Sequence, residues 1–212
     1  MTASSASSGH AASSFERRPP VPRLVVIASG GGSNLENLLE LGYHVVAVAT
    51  NRPSSGAARI ARQHRVPLGE FPQSRYASRS ERDAAMRQWL VGRAPDLVVL
   101  AGYDRVLSAE LVRTFRGRIL NLHPSLLPAF AGGMDAVEQA LAAGVKITGC
   151  TVHLVTEDVD AGPILEQAAV PVLEDDDPQT LHARIHVEEH RILPAAIDRL
   201  AATLSGIGER RA

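Results

Sequence analysis

From residue 23 onward, short continuous bursts of apolar residues alternate with longer segments whose apolar positions follow helical spacing, and glycine, proline and serine stand at the junctions. These observations predict an α/β fold, Rossmann-like, with three αβα layers around a mostly parallel central sheet that becomes mixed in direction at its C-terminal edge. Residues 24–28 (Leu-Val-Val-Ile-Ala) are the first burst, read as a buried strand. Leu35, Leu38 and Leu39 then follow helical spacing up to Gly42, residues 44–49 form a second strand, and 54–65 form a helix with Ala57, Ile60 and Ala61 inward. A short strand over 67–71 and a helix over 80–91, carrying Ala84, Met86 and Trp89, lead into the most apolar strand, 96–101. Ser108 is placed to cap a helix over 109–115, and a strand over 118–122 ends before His123-Pro124. Asp135 is expected to cap a helix ending at Gly144, and residues 146–155 alternate enough for a strand open on one face. Gly162-Pro163 turns the chain, 164–172 pairs back, and 178–204 is long and periodic enough for a closing helix.

The 212 residues suit one core. Residues 1–21, rich in Ser and Ala and ended by Pro19, Pro20 and Pro22, are expected to be a disordered tail, 22–208 a single domain and 209–212 a short C-terminal tail. Lys and Arg total 22 against 23 Asp and Glu, a net charge of -1 that argues against a nucleic-acid or polybasic membrane module. Lys146 is the only lysine, which excludes a P-loop. No apolar run approaches the roughly 20 residues of a membrane helix, and the N-terminus lacks the pattern of a secretory signal. With Cys150 as the single cysteine, a reducing compartment, the cytoplasm, is expected.

In a sheet of this kind ligands bind beyond the carboxyl ends of the strands, so the residues just after each strand are the informative ones. Ser29-Gly30-Gly31-Gly32-Ser33-Asn34 follows the first strand and opens a helix, where free N–H groups and the positive helix end make a phosphate cradle; a plain tight turn is the alternative. A dinucleotide fingerprint fits less well, because its third glycine falls on Leu35 and the second strand ends at Thr50-Asn51-Arg52 without an acid. Arg52 suits a 2′-phosphate, which keeps an NADP-dependent oxidoreductase as a rival. Asn121 and His123 alternate onto one side of their strand and offer an amide and a titratable imidazole; a structural histidine is the bland alternative. If the turn at 158–163 reaches the same end, Asp160 pairs with His123 and favours its protonated form. His186, Glu188, Glu189 and His190 make either a solvated helix face or a polar wall for a sugar or phosphate, and their spacing alone makes no metal site.

Across nearly all of residues 23–205 these motifs resemble the phosphoribosylglycinamide formyltransferases. The Ser-Gly-Gly-Gly-Ser-Asn loop, residues 99–108, the Asn-Leu-His-Pro-Ser-Leu-Leu-Pro run at 121–128 and the Val-Asp-Ala-Gly ending at 159–162 carry the likeness. The resemblance implies transfer of a formyl group from 10-formyltetrahydrofolate to the amine of glycinamide ribonucleotide, in purine biosynthesis and without a metal. It implies that Gly32, Ser33 and Asn34 bind the substrate phosphate, with His186 and Glu189 near phosphate and ribose. Folate would fall on Arg79, Asp104, Arg105, Val106, Leu107 and Asn121; Asn121, His123 and Asp160 would be catalytic, His123 as proton donor and Asp160 as the acid that tunes it. The implied partners are these two small molecules, with no nucleic acid or membrane, for a monomer or homodimer.

One segment departs from the family. Where many members have Phe-Pro-Gly followed by a histidine, this chain reads Phe130-Ala131-Gly132-Gly133-Met134-Asp135, with one extra residue and an aspartate in the histidine's place. A carboxylate there cannot serve as a cation. A formyltetrahydrofolate hydrolase and a non-catalytic folate or nucleotide sensor are the competing readings.

Overall fold

The computed structural model describes residues 21–209, so the tails expected at 1–21 and 209–212 lie almost wholly outside the described residues. Five parallel strands, β1 (Leu24–Ile27), β2 (Val45–Thr50), β3 (Leu68–Glu70), β4 (Leu97–Ala101) and β5 (Ile119–His123), are joined by β6 (Ile147–Leu154) and β7 (Ile164–Pro171). Each of the last two runs antiparallel to its neighbour, giving the order β3-β2-β1-β4-β5-β6-β7. The chain leaves β1 in one direction and returns through β4 on its other side, which opens a crevice at the carboxyl ends of those two strands.

Strand alternation builds the layers. Leu24 and Val26 face α1 (Ser33–Glu40), α2 (Gly56–Gln63), α5 (Ala136–Ala142) and α6 (Pro178–Glu209), while Val25 and Ile27 face α3 (Arg79–Arg93) and α4 (Ala109–Thr114). Because β1 is buried on both faces, every one of its residues is apolar, and the burst read from the sequence is the result. At the far edge, the chain's single tryptophan packs edge-on to Phe71, their rings 5.8 Å apart, and covers β3 at Gly69. Arg93 lies over the other side of this Trp89 ring, 4.7 Å from its centroid.

Three helix starts follow one local rule. Ser55, Ser78 and Ser108 each accept, through Oγ, the N–H three residues on, from Ala58, Glu81 and Leu111. Asp135 departs from expectation: it holds the N-cap position of α5, but its carboxylate accepts from Gln139 Nε2 at 2.8 Å and from no backbone N–H of the helix. A 3₁₀ turn at Gln73–Arg75 was not predicted, since three residues are too few to show a period.

Two contacts fix the walls of the crevice. Gly32 has φ 88°, and a Cβ there would meet Ala57 Cα at 2.7 Å; a Cβ on Gly56 would meet Gly31 O at 2.1 Å. The β1–α1 loop therefore lies directly on the start of α2, and Ala57 N–H donates to Gly30 O. On the other side, Arg82 and Asp83 form a buried ion pair, with Asp83 Oδ1 accepting from Arg82 Nε and Nη2 at 3.0 and 2.7 Å. Asp83 Oδ2 accepts the N–H of Ser108 at 2.9 Å, and the Arg79 guanidinium donates to the carbonyl of Val106. The first turn of α3 thus holds the whole β4–α4 segment.

Both contacts set expectations for denaturant unfolding. Gly32→Ala combines a left-handed residue with a backbone clash and is expected to cost about 1–3 kcal/mol. Asp83→Ala leaves a buried guanidinium without its counter-charge, and a loss of about 3–5 kcal/mol is expected; a variant as stable as the parent would show that the pair does not hold the segment.

Candidate functional site

A cavity of about 540 Å³ lies at the carboxyl ends of β1, β4 and β5. Its wall includes the 30–34 loop, residues 100–107, Asn121, His123, Gly132–Met134, His153, the 155–160 segment and three side chains of α6, His182, His186 and Glu189. Of the residues the family resemblance assigns to the site, all line this cavity except Arg79, which reaches the 104–107 segment from outside through the Val106 carbonyl; Arg52, Glu188 and His190, also raised from the sequence, do not line it.

At the centre is Asp160. It takes φ 51°, a left-handed conformation that aspartate tolerates, and the turn then packs so tightly on β6 that a Cβ on Gly162 would meet Leu154 O at 1.8 Å. The carboxylate accepts the N–H of Gly132 at 2.9 Å and Nδ2 of Asn121 at 3.3 Å, and lies 3.5 Å from both His123 Nδ1 and His153 Nε2. The hydrogen bond with His153, opposed by burial and helped by Gly132 N–H and the charge of His123, draws its pKa down to about 2. This group is a permanent carboxylate at any physiological pH.

The two imidazoles differ in what surrounds them. His123, 4% exposed, has Nε2 at 3.0 Å from the Phe130 carbonyl and Nδ1 toward Asp160, so both nitrogens face oxygens that only accept. His153 has Nδ1 at 3.0 Å from the Leu154 carbonyl, and its Nε2 lies between Asn121 Nδ2 at 3.1 Å and the Asp160 carboxylate at 3.5 Å. The pairing expected between Asp160 and His123 is present as an ion-pair contact, shared with a second histidine that sequence reasoning placed only on its strand. Its neighbour is set by the antiparallel register, Asn121 opposite His153, which a period of two cannot reveal.

One end of the cavity is polar. Asn34, 7% exposed, donates from Nδ2 to Glu189 Oε2 at 2.9 Å, and His186 Nε2 stands 3.7 Å from the same oxygen. Burial pushes the Glu189 carboxyl above its ordinary value despite that hydrogen bond. His182, one turn before His186, was not singled out from the sequence, although the four-residue spacing of His182, His186 and His190 is legible there.

The other end is formed by Leu100, Val106, Leu107, Val112 and Val155 around Asp104 and Arg105. Burial works to raise the Asp104 carboxyl, but hydrogen bonds from Asn51 at 2.7 Å and Ser29 at 3.0 Å, with the charges of Arg52 and Arg105, hold it below its ordinary range. Arg52 is ion-paired with Asp104 and thus already has an anionic partner, which removes the feature on which a 2′-phosphate site rested. Among the described residues no group of three or more His, Cys, Asp or Glu side chains is arranged to hold a metal, and no helix is long and apolar enough to cross a membrane.

Known proteins share this fold. The formyl transferase family model matches residues 22–197. The phosphoribosylglycinamide formyltransferase of Mycobacterium tuberculosis is 48% identical over 189 residues, covering 86% of this chain and 87% of the relative. The trifunctional purine biosynthetic protein adenosine-3 of Bos taurus is 40% identical over 201 residues, which is 92% of this chain but only 20% of that protein, so the chain spans about a fifth of it. The crystal structure of glycinamide ribonucleotide transformylase 1 from Symbiobacterium toebii superposes with a TM-score of 0.83 at 44% identity, covering 86% of this chain and 89% of the other. The chain belongs to the formyl transferase family and, within it, to the phosphoribosylglycinamide formyltransferases.

Proposed function

We propose that the protein transfers the formyl group of 10-formyltetrahydrofolate to the primary amine of glycinamide ribonucleotide, releasing formylglycinamide ribonucleotide and tetrahydrofolate in purine biosynthesis. The observation that carries the reading is the cluster of Asn121, His123 and Asp160 in the middle of a cavity with one polar and one apolar end. The nucleotide's phosphate docks on Gly32, Ser33 and Asn34, with His186 and Glu189 beside the phosphate and ribose, and its amine points toward Asp160. The folate lies along Asp104, Arg105, Val106 and Leu107, and Arg79 braces that segment while meeting the distal part of the ligand.

The residues divide the chemistry. As the amine attacks, negative charge develops on the formyl oxygen, and the amide of Asn121 with the cationic ring of His123 stabilises it in a cleft with little water. His123 then supplies the proton that the leaving folate nitrogen needs, a contribution of about 10² to 10⁴ in rate for a positioned acid. Asp160 stays ionised beside His123 and orders a water through which the proton shed by the attacking amine passes to His123, replacing the one that ring gave to the folate nitrogen. His153 keeps the Asn121 amide aimed. The second substrate being a small molecule, no nucleic acid or membrane enters the reaction, and the buried lone cysteine suits a cytoplasmic setting.

The deciding experiment follows loss of 10-formyltetrahydrofolate spectroscopically with and without glycinamide ribonucleotide. Turnover that requires the nucleotide is expected; turnover without it indicates a hydrolase, and none in either case a sensor. Asp160→Asn is expected to fold normally and to lose at least about 10²-fold in kcat. Near-parental rates for that variant from pH 6 to 9 would remove Asp160 from the mechanism.

A further inference from the structure

The polar end of the cavity combines anion-binding backbone with an absence of dedicated cations. The 30–34 loop presents N–H groups at the start of α1, yet among the residues lining the cavity there is no lysine and one arginine, Arg105, whose Nε lies 3.7 Å from the Asp104 carboxylate. From α6 the same cavity is lined by His182, His186 and Glu189, the last bonded to Asn34 of the loop and 3.7 Å from His186. The rings of His182 and His186 lie 4.1 Å apart, and His186 is stacked at 7° on His190 with 6.4 Å between centroids. A spacing of four places all three on one helix face.

We propose that the closely paired His182 and His186 act as a proton-switched cation for the phosphate group: the pair is neutral in the free protein and takes up one proton when the nucleotide's phosphate docks. This inference rests on the phosphate reading of the 30–34 loop given above. Two imidazoles in ring contact cannot both be charged without mutual repulsion, so the pair accepts a single proton. Burial depresses both rings, further lowered by His186 in the case of His182 and by His190 in the case of His186. The remaining charges facing them are acidic: Glu138 from α5, Glu36 from α1 and Glu189 from α6 itself, the last already engaged by Asn34. A dianion on the loop adds the negative charge that brings a ring back into its charged form. Asn34 supplies a second polar contact, since its Oδ1 is buried without a partner and accepts a hydroxyl of the attached sugar.

Calorimetric titration with ribose 5-phosphate at pH 7.5, repeated in buffers of different ionisation heat, counts the protons bound. At that pH the ligand's own phosphate, with a second ionisation near about 6, is almost wholly dianionic and contributes little. The unmodified protein is expected to take up between about half and one proton per ligand, the unperturbed imidazole titrating near about 6.5, and to bind more weakly as pH rises from 6.5 to 8.5. The His182→Asn/His186→Asn double variant, altered only on the partly exposed face of α6, is expected to bind at least about tenfold more weakly with uptake near zero. Binding by the unmodified protein without proton uptake, or full uptake retained in the double variant, overturns this inference and leaves the loop reading intact. Failure of the unmodified protein to bind ribose 5-phosphate overturns both.

Discussion

The carboxylate of Asp160 is the tie on which the arrangement of this cavity depends. It gathers β5 through Asn121 and His123, β6 through His153, and the 131–134 segment through the N–H of Gly132. No two of these come from one local stretch of chain, and each is brought within reach by a different element. The antiparallel β6 sets a histidine opposite Asn121, and the tight turn at Gly162 folds Asp160 back over the end of β6. The price of this arrangement is a left-handed backbone at a non-glycine residue, a small local strain retained because the surrounding bonds fix it.

Much of the fold was legible because burial on both faces of a parallel strand writes itself directly into sequence. β1 and β4 are uninterrupted apolar runs, and Ser108 caps α4 as its position suggested; Ser55 and Ser78 cap their helices by the same hydrogen bond without having been singled out. The partial alternation of residues 146–155 misled in one respect: it suggested a strand open on one face, whereas residues 148–153 of β6 are all buried, covered on both sides of the sheet. Asp135 misled because its residue type suits a cap, while Gln139, one turn on, competes for the same carboxylate. The 3₁₀ turn at Gln73–Arg75 carries no pattern to read.

The site divides in the same way. The 30–34 loop just beyond β1 and His123 at the end of β5 could be found because their position follows from topology, whereas Asp104 came only from the family resemblance. His153 and Asn51 could not be assigned partners, since cross-strand register and the β2-to-β4 approach lie outside any local period. Arg52 shows the opposite error: a cation after a strand suggested a phosphate partner, and the fold brings it the Asp104 carboxylate instead. Arg82 and Asp83 adjoin in sequence and drew no notice there; their burial goes with the long reach of Asp83 to Ser108.

The placement of Trp89 has a consequence for optical work on this protein. The lone indole sits between α3 and the outer strand β3, edge-on to Phe71 and beneath Arg93, and does not line the cavity. Its emission therefore reports the integrity of that sheet edge. A ligand filling the cavity leaves this fluorophore's immediate neighbours unchanged, so constant fluorescence on titration is compatible with full occupancy. Loss of the α3–β3 contact, by contrast, exposes the ring to water and frees it from the guanidinium. The natural chromophore is thus a gauge of folding at one end of the molecule, and following occupancy by light calls for a reporter introduced beside α6.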